Sequence, residues 1–361
     1  MSFYAIGEPE YKTSNWYRDI MEGLINEKRQ KRFALTILDS IDELKHYTIT
    51  GEDVIFIIGT NSEWLAKIIQ ICEAFFHNRV VVLGNHENRL CKGKYSIVTA
   101  DIARDIQILY NYLVSYGKTR IAMYGINPDS TSDAFRKESF LSCGASEADL
   151  FYNAGSLSRC FEDFLKRIDD YDAVICVNDY AAISLVKYLK DKKKLYITSC
   201  GGGSLLSHFF SPCITHTWVD YLSFGKAGLD LCRILQRNSN VNSVNIYLSS
   251  SFTIGETTDS LPLVEESVPE INAVHKDNDT FYSDTEIDEM LRVETLLNSC
   301  DKDDFLILER ILNNATYAQI AEELYMSTNG VKYKLKNMFT LCHVTSKTEF
   351  IELLNKYLKN N

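Results

Sequence analysis

Val174-Ile-Cys-Val-Asn-Asp-Tyr-Ala-Ala182 is the stretch on which the reading of this chain turns. Four apolar residues, three of them β-branched, form a run short enough for a strand covered on both faces, here residues 173–177. The Asn-Asp pair then breaks the run, and a helical pattern begins at once over 181–190, with Asp179 placed to cap a helix starting at Tyr180. A strand that feeds a helix through two polar residues is half of a βα unit. In such units the polar pair lies at the carboxyl end of the strand, where open α/β sheets bind ligands.

The same pattern recurs on both sides of this stretch. Strands are expected at 3–7, 33–38, 53–59, 79–83, 96–99, 120–124 and 195–198, with a late pair near 244–248 and 251–255. Helices are expected at 16–31, 64–76, 102–116, 134–143, 158–168 and 224–235, and Thr60-Asn-Ser-Glu63 has the form of a capping box. Alternation sustained from residue 3 to 258 predicts a parallel sheet, or two smaller ones. Residues 259–282, with Pro262, Pro269 and the acids Glu265, Glu266 and Glu270, lose all periodicity and read as a linker. Ser283-Asp-Thr-Glu286 then offers a second capping box, and 283–361 is helical in pattern throughout.

With 361 residues the chain suits two or three domains. It has no long apolar run and no secretory leader pattern, so a cytoplasmic protein off the membrane is expected. Ten cysteines lie scattered, several inside apolar runs (Cys72, Cys176, Cys232), which reads as reduced, buried thiols. A net charge of −11 argues against general polyanion binding but leaves room for a basic face on one small module. His86, His208 and His216 share no metal-ligand spacing, and no phosphate loop, dinucleotide fingerprint or nucleophile elbow is present. Gly201-Gly-Gly-Ser204 follows a strand and reads as a plain loop, with an anion-binding nest as the alternative. No metal, no cofactor and no enzymatic activity are expected.

In the helical module Phe305, Leu306, Leu308, Ile311 and Leu312 make one apolar stripe. Thr316-Tyr-Ala-Gln319 is a capping box for the next helix, which buries Ile320, Ala321 and Leu324. After a turn at 325–328, Val331, Leu335 and Met338 share one side of a helix, while Asn329, Lys332, Tyr333, Lys336 and Thr340 share the other. An acid-free face with two lysines one turn apart suits a major groove; a solvated lysine face has the same composition.

Gln319 to Phe339 resembles the LuxR-type helix-turn-helix pattern I-A-x-x-L-x-x-S-x-x-T-V-K-x-H-x-x-N-I-F, and His343-Val-Thr-Ser-Lys-Thr-Glu-Phe350 resembles the start of that family's last helix. Gly330 stands where the family usually has Thr, and Asp303-Asp304 where it has Arg-Glu. The resemblance implies DNA contacts from Thr316, Ser327, Asn329, Lys332, Tyr333, Lys336 and Thr340. It also offers residues 345–358 as a dimer contact, with packing against their own module as the alternative.

Five motifs of the first 258 residues resemble the type I periplasmic-binding fold used as the effector domain of LacI-family repressors. They are Asn15-Trp-Tyr-Arg-Asp-Ile-Met-Glu-Gly23, Val98-Thr-Ala-Asp101, Arg136-Lys-Glu-Ser-Phe140, Val174 to Ala182, and Thr215-His-Thr-Trp-Val-Asp-Tyr-Leu-Ser-Phe-Gly225. The resemblance implies an α/β two-lobed periplasmic-binding type I-like module (1–258), a linker (259–282) and a C-terminal all-α helix-turn-helix module (283–361). The first lobe would comprise about 1–100 plus 218–250, joined to the second by three crossings. It places Asn15, Trp16, Asp101, Arg136, Asn178, Asp179 and Trp218 at a cleft, where indole faces pack apolar ligand surface and Arg136 and Asn178 hold polar or anionic groups. Ser199-Cys-Gly replaces the aspartate that commonly holds a sugar hydroxyl. The expectation is a homodimeric, ligand-responsive transcriptional regulator whose partners are DNA and a sugar or other polar metabolite. The competing readings are an α/β enzyme with a regulatory helical tail, and a protein-interaction regulator that no longer binds DNA.

Overall fold

The computed structural model describes residues 2–76, 79–85, 95–190, 192–201, 205–238, 240–258 and 284–358. Two six-stranded sheets form two lobes. The first sheet contains β1 (Phe3–Gly7), β2 (Leu35–Leu38), β3 (Val54–Ile58), β4 (Val80–Leu83), β5 (Ser96–Ala100) and β11 (Asn245–Leu248), in the order β11-β5-β4-β3-β1-β2 and parallel throughout. The second contains β6 (Ile121–Ile126), β7 (Leu150–Tyr152), β8 (Ala173–Cys176), β9 (Tyr196–Cys200), β10 (Thr215–Trp218) and β12 (Ser251–Thr253), in the order β12-β10-β9-β8-β6-β7. Only β12 runs antiparallel there.

The apolar runs are explained by burial on both faces. Tyr4, Ile6, Ile55 and Ile57 join one core under α2 (Ser62–Phe76), whereas Phe3, Ala5, Phe56 and Ile58 join another under α1 (Asn15–Lys31) and α8 (Ser223–Arg237). In the second lobe α3 (Ile102–Ser115), α4 (Thr131–Ser142), α5 (Leu157–Leu165), α6 (Asp179–Leu189) and α7 (Leu205–Phe209) surround β6, β8 and β9. The first strand of each sheet lies between the second and third, so each sheet has a switch point, at β1 and at β6.

Three chain crossings join the lobes, between β5 and α3, between β10 and α8, and between β11 and β12. The two expected late strands do not pair with each other. They border different sheets, because the two serines between them, Ser249 and Ser250, carry the third crossing. β7 and β10 escaped the sequence reading: β7 has three residues, and the buried positions of β10 are the polar Thr215 and Thr217, so it shows no apolar run.

The glycines that end two of the quoted motifs have a shared physical cause. A Cβ on Gly225 would lie 2.3 Å from the carbonyl carbon of Gly23, and one on Gly23 would lie 2.2 Å from the carbonyl oxygen of Leu222. α1 and α8 thus touch backbone to backbone, and neither obstacle is a side chain that can swing away. Gly225→Val is expected to cost at least about 1–3 kcal/mol as the helices separate. A lowered urea midpoint with unchanged helical content at zero denaturant checks this.

Five helices follow: α9 (Thr285–Ser299), α10 (Lys302–Leu312), α11 (Tyr317–Glu323), α12 (Thr328–Leu341) and α13 (Lys347–Tyr357). The 259–282 segment read as a linker lies outside the described residues, as does Ser283. The carboxylate of Asp284 caps α9, accepting from the amide of Glu286 at 2.9 Å. At α2 the cap is likewise one residue later than Thr60, since Asn61 Oδ1 accepts from the amide of Trp64 at 2.8 Å. The Thr316 box forms as expected at α11.

These helices share a continuous core with the second lobe. Ile287, Met290, Val293, Leu296 and Leu297 of α9 are buried, and Phe305 stacks on Phe209 of α7 at 5.8 Å. Phe350, Leu353, Leu354 and Tyr357 of α13 are buried in the single chain, on α9 and α10. The apolar face offered for a dimer contact is thus already covered.

No described helix is long and apolar enough to cross a membrane. The nine described cysteines are all free thiols.

Candidate functional site

A cavity of about 440 Å³ lies where the carboxyl ends of both sheets converge. After β1 come Tyr11, Ser14, Asn15, Trp16 and Asp19; after β3 and β4, Thr60 and Asn85. The second lobe supplies Asn127 to Arg136 after β6, Asn178 to Tyr180 after β8, and Cys200 and Gly201 at the end of β9. Trp218 to Leu222 line it from the second crossing, and Leu291, Glu294 and Asn298 from α9. The lining residues of the two lobes, far apart in sequence, meet because the parallel strands they follow all end on one side.

Of the seven residues the sequence singled out, Asn15, Trp16, Arg136, Asn178, Asp179 and Trp218 line this cavity; Asp101 does not. Asp101 sits at the first crossing, and its carboxylate accepts from the amide of Arg104 at 3.1 Å as the cap of α3. Asn178, rather than Asp179, caps α6: its Oδ1 accepts from the amide of Ala181 at 2.9 Å. The helix begins one residue earlier than expected, and Asp179 is buried inside it, accepting from Ser199 Oγ at 3.0 Å. Trp16 packs on Tyr11 and Tyr221, with ring centroids at 5.6 and 6.4 Å.

Arg136 is nearly enclosed, with a side chain 13% exposed, and its Nη1 donates to Asp133 Oδ1 at 2.6 Å. Burial opposes its charge, but Asp133 beside it holds the guanidinium protonated. Asp133 accepts as well from the amide of Asn127 at 2.9 Å. Of the two kinds of group expected at Arg136, polar or anionic, the charges around it favour the polar one. Its charge is already matched by Asp133, and the remaining charged lining residues, Asp19, Asp179, Asp220 and Glu294, are all acids. A free anion would face an adverse field; a neutral, hydroxyl-bearing molecule or a cation would not.

The expected loop at 201–204 has a related answer. Residues 202–204 lie outside the described set, but the amides of Leu205 and Leu206, opening α7, both donate to the carboxylate of Glu294. An acid of the chain's own helical module already occupies these donors. Sequence reasoning missed Glu294, Leu291 and Asn298 because nothing local marks them; they reach the cavity only through the docking of α9.

Two buried acids are held above the ordinary carboxylate range. Burial pushes Glu294 up to about 7, against the hydrogen bonds from Leu206, Leu205 and Asn298. Burial pushes Asp105 of α3 up to about 6, opposed by Ser250 on the third crossing and by Arg136. Both folded-state values exceed the unfolded ones, so the stability they contribute is full below about pH 4 and is lost as pH rises through 6 and 7. The pair is expected to lower stability by on the order of 1–3 kcal/mol between pH 5 and 8. In urea titrations at several pH values, Asp105→Asn combined with Glu294→Gln should flatten that slope; an unchanged slope would contradict the assignment.

On the helical module, Thr316, Ser327, Asn329, Lys332, Tyr333, Lys336 and Thr340 are all exposed. Thr316 and Ser327 cap α11 and α12, Ser327 Oγ accepting from the amide of Gly330 at 3.0 Å. Tyr333 is 68% exposed between the two lysines, while Val331, Leu335 and Met338 are buried on the opposite side. Lys334 points elsewhere, donating to Asp301 at 2.9 Å and Asp304 at 2.8 Å. Asp304, in the first turn of α10 and one of the two acids that stand where the pattern has Arg-Glu, thus anchors α12 to the start of α10.

Comparison with known proteins gives similarity of fold. No family model matches the chain, and no curated protein matches it in sequence. Among solved structures, the transcriptional regulator CelR in its cellobiose complex superposes with a TM-score of 0.56 at 16% identity, covering 72% of this chain and 85% of that one. A LacI family transcriptional regulator from Enterococcus faecium with bound ribose gives 0.55 at 16% identity, over 72% of this chain and 100% of that one. The Lac repressor bound to ONPG gives 0.57 at 12% identity, over 72% and 82%. The chain therefore has the two-lobed α/β fold of LacI-type and periplasmic-binding-like domains, with a C-terminal helical region added.

Proposed function

We propose that this protein is a ligand-responsive transcriptional regulator, in which a small hydroxyl-bearing molecule in the interlobe cleft modulates DNA binding by α11 and α12. The observation that carries the reading is the exposed, acid-free face of α12, Asn329, Lys332, Tyr333, Lys336 and Thr340, on a helix whose other side is fully packed. A helix so presented can enter a major groove with its first turn at base edges and its lysines at phosphates. The cleft supports the sensor half: Trp16 and Trp218 offer flat apolar faces, and Asn15, Asn178 and Asp179 offer groups for hydroxyls. Solved structures of this fold hold cellobiose and ribose, ligands of that chemistry. Asp101 acts at the crossing, as the cap of α3. A ligand shifts DNA affinity only by binding the two lobe arrangements unequally.

Thermal melting of the full chain with D-ribose, D-glucose, cellobiose and inorganic phosphate tests the ligand class. A saccharide at about a hundred times its Kd should stabilise by about 2.7 kcal/mol, and Trp218→Ala, raising that Kd about tenfold, should cut the gain to about 1.4 kcal/mol. Stabilisation by phosphate alone would overturn the class.

A further inference from the structure

α9 stands between the cleft and the rest of the helical module. Leu291, Glu294 and Asn298 are three and four residues apart, so they share one face, and all three line the cavity. Glu294 is 1% exposed, and its grip on the amides of Leu205 and Leu206 sets the depth of this face against α7. Asn298 Nδ2 donates to the carbonyl of Glu294 at 3.0 Å and to its Oε1 at 3.2 Å, which turns Asn298 Oδ1 into the acceptor it can offer a hydroxyl.

Adjacent positions of α9 hold the other helices. Arg292 Nη1 donates to the carbonyl of Cys342, the residue that ends α12, at 3.1 Å. Glu289 accepts from Lys356 Nζ at 3.0 Å and from Tyr357 Oη at 2.9 Å, both on or beside α13's last turn. At the amino end, Asp284 accepts from the amide of Leu157 at 2.7 Å, and Glu286 from Ser184 Oγ at 3.0 Å and Lys187 Nζ at 3.1 Å. One helix is thus anchored to the second lobe along its length, faces the cavity on one side and grips α12 and α13 on another.

We propose that α9 completes the ligand-binding site, with Leu291 and Asn298 as ligand-contacting residues and Glu294 as the residue that positions them. The inference rests on the sensor reading and adds that the helical module itself meets the ligand. A neutral, hydroxyl-bearing ligand bridges Trp218 and Asp179 of the lobe to Asn298 of α9. Its occupancy then bears directly on the helix that holds the end of α12, and lobe closure is not the sole route of the signal.

The test uses the full chain titrated with D-ribose, D-glucose and cellobiose, followed by the fluorescence of its tryptophans, two of which line the cavity. Leu291→Ala and Asn298→Ala are each expected to raise the Kd of a bound saccharide about tenfold, as Trp218→Ala does. A Kd that stays within about twofold in both α9 variants, while Trp218→Ala raises it about tenfold, overturns the proposal. Failure of the sensor reading looks different: none of the three saccharides binds the wild-type chain. Hydrogen exchange then decides alone, using Leu291→Trp, which extends an indole into the cavity, and Asn298→Phe as a second filling variant. Slower exchange at the start of α1, across the cavity, together with altered exchange in α12 supports contact through α9. Changes confined to residues 285–299 in both variants overturn it.

Discussion

Replacing Lys332 and Lys336 together by Ala is expected to weaken DNA binding by roughly 10- to 100-fold at moderate salt and to reduce the slope of log affinity against log salt by about 2. The argument is electrostatic. Each exposed ammonium that meets a phosphate releases about one condensed counterion, so its loss removes affinity most at low salt and little at high salt. Both lysines are exposed on the packed helix α12, one turn apart, and the helix carries no acid to offset them. Lys334 supplies an internal control. Tied to Asp301 and Asp304, it should on replacement by Ala loosen the docking of α12 on α10 while leaving the salt slope unchanged. Shift assays on captured genomic fragments over a salt series measure both quantities. An unaltered slope in the double variant would sink the recognition-helix assignment.

The largest effect on stability is expected at Arg136. Arg136→Leu leaves the carboxylate of Asp133, 3% exposed, without its cationic partner, and should destabilise the second lobe by about 3–5 kcal/mol. The cost arises from the stranded charge more than from the lost contact. Asp133→Asn in the same chain should therefore recover most of it, because the amide oxygen can still accept from Asn127. Chemical denaturation followed by circular dichroism gives both numbers. If the double variant is no more stable than Arg136→Leu alone, the pair is not what holds this part of the wall.

Much of the fold could be read locally. The strand starts and ends fall close to expectation because a strand buried on both faces must be continuously apolar, and its helix must start with a polar cap. Val174 to Cys176 and Asn178 show this within five residues. The glycine at the end of each of two motifs was legible as a pattern, but its reason, the contact of Gly23 with Gly225, lies between helices two hundred residues apart. Six of the seven cleft candidates that the family resemblance named line the cavity. Asp101 follows a strand, yet serves as a cap, since the same carboxylate chemistry satisfies either role and only orientation separates them.

The sequence by itself determined most of the elements, their order and the packed and exposed sides of α12, because periodicity and capping act over a few residues, whereas the two-lobed plan came from the family resemblance and not from periodicity. Tertiary structure alone decided that the late strands belong to different sheets, that Arg136 spends its charge on Asp133, and that α9 walls the cleft. Each of these depends on which distant surfaces meet. A carboxylate such as Glu294 has the same local sequence signature whether it faces water or caps a helix in another lobe; burial and the two amides it finds there make the difference.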